Sequence, residues 1–426
     1  MVGPEIVVST QSLPSLWRDG DFLRYWGSRA VTMIGSSVTA VALPVLIYHL
    51  TGSPALTSGL RATSTLSMAA FGLVGGVLGD RFDRRRIMIT ADLVSALAIA
   101  SLVAAHLAGV LTVPHVYAAD FASASAAVLF DGSSAGALPT LVGRPRLPEA
   151  NARIWGTQGV LDVVMPALAG LALAIWSPAS LLVIDVLSFV GSALLVRAIR
   201  GALNERRART VRTTARDLWA DLVEGVTFLR RHPTLWPLAM VAVFGAGSAA
   251  ALLGLIVPWA DRVLGVGTSG WRFGMLFGSW AAGAFFASFL MPRLSRRYGA
   301  IRLAQCLFPA MTVLLLVLSR LDRYGGALAV YLAHATLHVL VISATVTYRM
   351  QIVPERLLSR VSTASRTLSW GGGATIGVLV SGQLASHFGV RAALLAVAVA
   401  NGCAALLAWV PALRRAAPTA RYAETA

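Results

Sequence analysis

The chain has no lysine: its 36 basic residues are all arginine. The absence is read as base composition, not mechanism. Charge of either sign is scarce, at 13% of the residues. Soluble domains carry charge at about a quarter of their positions, so an ordinary soluble fold of 426 residues is excluded. Only two cysteines occur, Cys306 and Cys403, both inside apolar runs. A disulfide framework and a cysteine-based zinc site are therefore excluded. No Gly-x-x-x-x-Gly-Lys loop is present to cradle a nucleotide phosphate, which argues against an ATP-driven pump. No Gly-x-Ser-x-Gly elbow or other catalytic set appears, so neither an enzyme nor a cofactor is expected. The N-terminus is polar as far as Arg24 and shows no short apolar core with a cleavage site. No signal peptide is read, and the first apolar run is kept.

What the chain has instead is hydrophobic length. Hydrophobic residues make up 56% of it, and the mean hydropathy is +0.71. A bilayer core of ~30 Å needs ~20 mostly apolar residues per helix. About a dozen runs meet that length, from Trp26–Leu50 through Trp236–Leu264 and Thr367–Ala385 to Ala392–Val410. The formal net charge of +17 can signal nucleic acid. Here the arginines sit between apolar runs, so orientation and contact with lipid headgroups explain them, and no nucleic acid is expected.

The arginines also sort the connections. Asp80–Arg86, Arg144–Arg153, Arg197–Arg231, Arg293–Arg302 and Arg349–Arg360 are arginine-rich, while the connections around Gly52, Gly109 and Pro178 contain none. Positive charge marks the cytoplasmic side of spans. The pattern predicts an even number of spans in a plasma membrane, with both termini cytoplasmic. The predicted organisation is a tail over 1–24, a six-helix bundle over 25–200, a cytoplasmic linker over 201–235, a second bundle over 236–411 and a tail over 412–426. Within the linker, Leu218, Leu222, Val226 and Leu229 recur at helical spacing. That predicts an amphipathic helix lying on the inner leaflet or, alternatively, binding a partner. The halves repeat weakly: the segment Met291–Gly299 follows the eighth run where Asp80–Arg86 follows the second.

The densest cluster of charge is the hairpin Gly76-Val-Leu-Gly-Asp-Arg-Phe-Asp-Arg-Arg-Arg86. Gly76-x-Leu78-Gly79-Asp80-Arg81-x-x-Arg84-Arg85 resembles the loop signature between the second and third helices of the major facilitator superfamily. Gly79 stands where that signature usually has Ala, and Asp83 where it has Gly, which bears on the tightness of the turn. The resemblance implies an all-α integral membrane protein of twelve transmembrane helices in two six-helix bundles, the major facilitator fold. It also implies that Gly76, Asp80, Arg81, Arg84 and Arg85 form a cytoplasmic latch. The first run, with Arg29, Gly35, Ser36 and Ser37, is similar to the first helix of the drug-exporter branch that contains bacterial siderophore exporters and macrolide efflux proteins. Many members of that branch have an acid just after the glycine, where this chain has Ser36 and Ser37. Val164-Met-Pro166-Ala-Leu-Ala-Gly170 resembles the antiporter motif of the fifth helix at Pro166 and Gly170, and close helix packing explains the same residues.

Ionisable residues inside a span are functional candidates because their desolvation has to be offset. Asp131, Asp162 and Asp120 are the proton-coupling candidates, with Asp131 and Asp162 leading. The competing reading pairs these acids with Arg29, Arg61 or Arg153 to hold helices in register. Asp92 is expected to join the hairpin arginines, and Asp185 is read equally as a cap or a functional group. Arg29, Gln158, Pro166, His334, His338 and Trp370 are the candidates for a substrate cavity. His334 and His338 lie four apart, on one helix face, and read equally as a relay and as hydrogen-bonded packing. Two histidines without a third ligand make no metal site. The resemblance implies secondary export of a hydrophobic or amphipathic small molecule by proton antiport. The expected partners are that substrate, protons and membrane lipids, with the chain acting as a monomer. The alternatives are an importer or facilitator of a small solute, and a non-transporting sensor or enzyme.

Overall fold

The computed structural model describes residues 15–204 and 215–416, with residues 73–81, 215–218 and 416 described as backbone only. Among the described residues every regular element is helical. In hydrocarbon no water is present to satisfy backbone N–H and C=O groups, so a spanning chain has to close its hydrogen bonds within each segment. Among the described residues, ten helices are long and apolar enough to cross a membrane. In the first half they are α1 (Gly20–Thr51), α3 (Arg84–Leu107), α4 (Val113–Val142), α5 (Leu147–Ala172) and α6 (Pro178–Ala198), with α2 (Pro54–Arg81) between α1 and α3. After α7 (Ala215–Arg231), the second half has α8 (Leu235–Gly254), a short α9 (Ile256–Arg262), α10 (Gly270–Tyr298), α11 (Ala300–Arg320) and α12 (Tyr324–Ile352). It ends with α13 (Glu355–Arg366), a π-helical stretch over Thr367–Ala374, α14 (Thr375–Phe388), α15 (Val390–Ala408) and α16 (Pro411–Ala416). The helical run from α13 to α14 and the helix α2 stand where the eleventh and second spans are expected, so the architecture is consistent with twelve.

The helices pack as two bundles. In the first, α1 lies against α5 and α6, α4 against α2 and α3, and α3 against α6. In the second, α12 lies against α10 and α11, and α15 against α8, α11 and α14. The bundles meet through α5 with α10 and α2 with α14. These two seams are not alike along their length. Residues toward the end remote from the arginine-rich loops share one apolar core, which joins Val41, Val45 and Tyr48 of α1 to Leu252, Trp259, Phe273 and Tyr331. At the arginine-rich end the core divides. Phe22, Met88, Phe130 and Ile154 pack only with the first half, and Phe308, Met311, Val341 and Tyr348 only with the second.

Close backbone approach explains the shared end. A Cβ on Gly170 of α5 would lie 2.6 Å from Gly274 Cα of α10, and one on Gly278 would lie 2.8 Å from Val163 O. Toward the arginine-rich end the same helices part, and nothing lies within 4 Å of a Cβ built on Gly156 or Gly159. Polar contacts seal the remote end. Tyr48 Oη donates to Asp261 Oδ2 at 2.7 Å, Arg262 Nε donates to Tyr48 Oη at 3.0 Å, and Arg262 Nη2 donates to Gly52 O at 2.5 Å. Ser58 Oγ donates to Gly254 O at 3.0 Å, and Ala55 N to Ser386 Oγ at 3.0 Å.

Two local features differ from the sequence reading. The run Trp236–Leu264 is not one helix, because α8 stops at Gly254 and α9 restarts at Ile256, with Leu255 at φ −85° and ψ −4° between them. The apolar face of α7 does not lie against the inner leaflet: Leu222, Val226 and Leu229 pack on Val353, Leu357 and Val361 of the chain itself. Arg360 fixes this seat, with Nε 2.8 Å from Asp221 Oδ1 and a further ion pair to Glu224. Asp83, standing where the signature has Gly, caps α3, its carboxylate accepting from Arg85 N at 2.8 Å. A side-chain oxygen that satisfies the orphan N–H groups of a helix start stabilises that start.

Gly274→Val would place side-chain atoms inside the backbone of Ala167 and Pro166. Overpacking of this kind costs about 1–3 kcal/mol. The substitution is expected to lower the thermal unfolding midpoint of the purified chain, whereas Gly156→Val, which faces open space, is expected to leave it unchanged.

Candidate functional site

A cavity of about 900 Å³ lies between the parted stretches of α5 and α10. Its wall is almost wholly apolar, with Trp155, Val160, Phe277, Trp280, Phe285 and Phe286 among its lining side chains. Trp155 is 68% exposed and Phe285 56%, which puts the mouth toward the arginine-rich end, where α5 begins and α10 finishes. Pro166 closes the cavity on α5, and Arg61 of α2 and Ser37 of α1 add polar groups. Asp162 also lines it. Among the described residues Asp162 makes no ion pair, and its carboxyl is hydrogen-bonded by the Gln158 side chain.

A second cavity, of about 220 Å³, lies in the first bundle and is lined by Arg29, Ser36, Asp92, Asp131, Gln158 and Phe189, among others. Arg29 Nη1 lies 2.6 Å from Asp131 Oδ1 and also donates to Ser134 Oγ at 3.3 Å. The pair ties α1 to α4, as the register reading anticipates, yet the Asp131 side chain remains 66% exposed. Arg153, the other partner considered, goes instead to Glu149 at 2.5 Å and stacks on Trp17. Asp92 does not join the hairpin arginines. It sits two turns into α3 and faces the cavity with Arg29, while Arg84 Nη1 donates to Gly136 O at 2.6 Å and Arg85 Nη2 to Gly201 O at 2.7 Å. Backbone carbonyls of α4 and of the segment after α6 thus take up the Arg84 and Arg85 guanidinium groups. Gly76, Asp80 and Arg81 fall in the stretch described as backbone only.

Two further acids are enclosed within the bundle. Asp120 accepts from Thr63 Oγ1 and interacts electrostatically with Arg61. Asp185, 1% exposed, accepts from Thr39 Oγ1 at 2.6 Å and Ser188 Oγ at 3.1 Å. A Cβ on Gly35 would come within 2.4 Å of Asp185 Oδ1, so the first-helix glycine is the space in which this carboxylate sits. Buried polar groups demand such partners, and here the partners are hydroxyls of α1 and α6. Asp185 therefore acts as an α1–α6 tie.

The second-half candidates lie elsewhere. His334 and His338 are 1% and 2% exposed and do not reach the cavity surface. They stack on each other and stand behind Trp280, whose ring is 5.2 Å from that of His338. Trp370 packs against Ala250, Ala374 and Val378. Trp155, Trp280, Phe285 and Phe286 were not singled out from sequence. Their signal was present as bulky aromatics at the arginine-proximal end of the fifth span and along the eighth, but only the seam between α5 and α10 turns that into a wall.

Comparison with known proteins agrees with this geometry. The family model described as transmembrane secretion effector matches residues 13–424. Macrolide efflux protein A of Streptococcus pyogenes is 29% identical over 223 residues, 52% of this chain and 54% of that protein. The chain thus spans about half the length of that curated relative. Multidrug efflux pump Tap of Mycolicibacterium fortuitum is 27% identical over 385 residues, 86% of this chain and 89% of that protein. In fold, the chain is similar to a bacterial homologue of the human lysosomal transporter Spinster in an inward-facing, occupied conformation. The TM-score is 0.75 at 16% identity, covering 96% of this chain and 99% of the other.

Thr39→Val removes one donor to Asp185 without changing side-chain size. The loss of one hydrogen bond to a buried carboxyl is expected to cost about 1–2 kcal/mol, read as a lower unfolding midpoint, with ligand binding in the larger cavity unaffected.

Proposed function

The chain belongs to the transmembrane secretion effector family of the major facilitator superfamily, and from that membership we propose that it exports a hydrophobic or amphipathic small molecule by proton antiport. The observation that carries the proposal is the cavity of about 900 Å³, apolar on nearly every side and closed at one end, with Asp162 in its wall. Apolar walls with a few convergent polar groups are what a small-molecule site needs. The names of two relatives, a macrolide efflux protein and a multidrug efflux pump, point to the same class of cargo.

In this reading the arginine-rich end is cytoplasmic, both termini lie on that side, and the membrane is the plasma membrane. The halves over 25–200 and 236–411 rock about the cavity, and the segment over 201–235 links them. The glycine contacts of α5 with α10 form the outer closure, which opens as the parted ends come together. The hairpin of Gly76, Asp80, Arg81, Arg84 and Arg85 acts as a latch whose contacts differ between the two states, which is the condition for biasing an equilibrium. Asp162 carries the exchanged proton, because it lines the cavity that the substrate would occupy and makes no ion pair among the described residues, its partner being the Gln158 side chain. The pair Arg29–Asp131, with Asp92 beside it, links α1, α3 and α4. Asp120 is held by Thr63 and Arg61 on the other side of the first bundle.

The test is accumulation of a fluorescent lipophilic dye in everted vesicles, with and without an imposed pH gradient. Gradient-dependent uptake is expected, and Asp162→Asn is expected to reduce it at least tenfold while dye binding persists. Uptake that ignores the gradient overturns proton coupling, and unchanged uptake by Asp162→Asn removes that residue from the proton path. Orientation is checked separately with Arg86→Cys in a chain whose Cys306 and Cys403 are serine. A membrane-impermeant thiol reagent applied outside intact cells is expected to leave that cysteine unlabelled.

A further inference from the structure

Behind Trp280 the second half holds a group of buried polar side chains that find no partner. Among the described residues, both ring nitrogens of His334, both of His338, the hydroxyl of Tyr331 and Nε1 of Trp259 make no hydrogen bond. All four residues are at most 2% exposed. They form one cluster. The rings of Trp259 and Tyr331 are 5.8 Å apart, those of Trp280 and Tyr331 6.2 Å, and those of His334 and His338 6.1 Å and stacked. Each unsatisfied buried group costs about 1–3 kcal/mol, and six such atoms in one place are far more than packing explains. A core built only for stability would fill these positions with Leu or Phe.

The place of the cluster in the fold gives it a use. Trp280 lines the large cavity on one side and covers the histidines on the other. Trp259 and Tyr331 belong to the shared core that shuts the remote end. The cluster therefore lies just past the cavity, on the way to the closed end. We propose that it is a second binding station, which takes the uncharged, oxygen-rich part of the exported molecule (hydroxyls and carbonyls, as on a glycosyl group) when Trp280 swings aside. This rests on the export reading given above.

The chemistry selects that class of ligand. Trp259 Nε1–H is a donor only, Tyr331 Oη gives and accepts, and a neutral imidazole provides one donor and one acceptor. The set thus matches a group that presents both lone pairs and O–H protons at several positions. Three aromatic faces, Trp259, Trp280 and Tyr331, border it and can stack on the apolar face of a sugar ring. The neighbouring charge is already balanced: Arg61 interacts with Tyr331 and with Asp120, and Asp120 accepts from Thr63. A cation would meet Arg61, and an anion would compete with Asp120 for it. An uncharged hydroxylated group meets neither obstacle.

The test compares two small probes that share an aromatic part, 4-nitrophenyl β-D-glucoside and 4-nitroanisole. Binding to the full chain in lipid nanodiscs is measured by equilibrium dialysis against empty nanodiscs. The glucoside is expected to bind at least tenfold more tightly than the anisole. In the His334→Leu, His338→Phe double variant the two affinities should converge, with no fall in unfolding midpoint, because atoms without partners are lost at no cost. Trp259→Phe, which removes only the indole N–H and part of the ring, serves if the double variant does not fold, and it should reduce the preference. Equal binding of the two probes by the native chain overturns the proposal. So does a preference that survives in the variants, or a double variant that folds with a lowered midpoint, which would mark the cluster as structural. Gradient-driven dye uptake in the vesicle assay reports on export separately: if it persists while the glucoside preference is absent, only the second station is lost.

Discussion

Hydrocarbon offers nothing to a polar group, so each acid inside this chain has to be answered by the protein itself. The answers differ, and the differences sort the acids. Asp185 is surrounded by hydroxyls and fills the notch left by Gly35, which makes it part of the α1–α6 contact. Asp120 has Thr63 and Arg61. Asp131 has Arg29 at 2.6 Å. Asp162 has the Gln158 side chain and a cavity in front of it, and makes no ion pair among the described residues. Of these four carboxylates, Asp162 is the one that lines the larger cavity. A proton or a substrate in that cavity can reach it, and the coupling role is proposed there for that reason.

The same constraint shapes the way the halves meet. Two bundles in a bilayer gain little from burying apolar surface against each other, because lipid tails are as apolar as leucine. Close contact and interhelical hydrogen bonds have to hold them. Gly170 against Gly274 supplies the first, and the chain from Arg262 through Tyr48 to Asp261 supplies the second. Both lie at the end remote from the arginine-rich loops. Nothing comparable joins α5 to α10 at the other end, where Gly156 and Gly159 face open space. The conformation follows from where the small residues touch, not from the overall hydrophobicity of either helix.

Much of this was legible in the sequence. The alternation of arginine-rich and arginine-free connections predicted an even number of spans, and the described helices are consistent with twelve. The signature from Gly76 to Arg85 pointed to the superfamily. Helix α7 was visible from the spacing of Leu222, Val226 and Leu229, but not its seat. An amphipathic face has the same pattern whether lipid or α13 covers it, and only Asp221 and Glu224 with Arg360 decide between them. Asp92 was misplaced because nearness in sequence to Arg84–Arg86 says little about which way a helical side chain turns. The cavity wall was hidden for a related reason. Trp155 and Phe285 are 130 residues apart, and no period within either helix shows that they face one another.

The eleventh span shows where the glycine reading itself had to change. Ser369-Trp370-Gly-Gly-Gly373 suggests a flexible point beside an aromatic. In the structure these residues form a π-helical stretch wedged between both halves. A Cβ on Gly373 would lie 2.3 Å from Val243 O of α8, one on Gly371 would lie 3.0 Å from Ala69 Cβ of α2, and one on Gly377 would lie 2.3 Å from Gly247 O. Two of these glycines thus admit the backbone of α8 and the third the Ala69 side chain of α2. The wide turn of a π-helix carries the ladder past one extra residue. Thr65 of α2 and Thr375 at the start of α14 then meet at 2.7 Å, a polar contact between the halves just past the wide turn. The glycines here are spent on proximity, with the backbone of α8 on one side and the Ala69 side chain of α2 in the other half on the other.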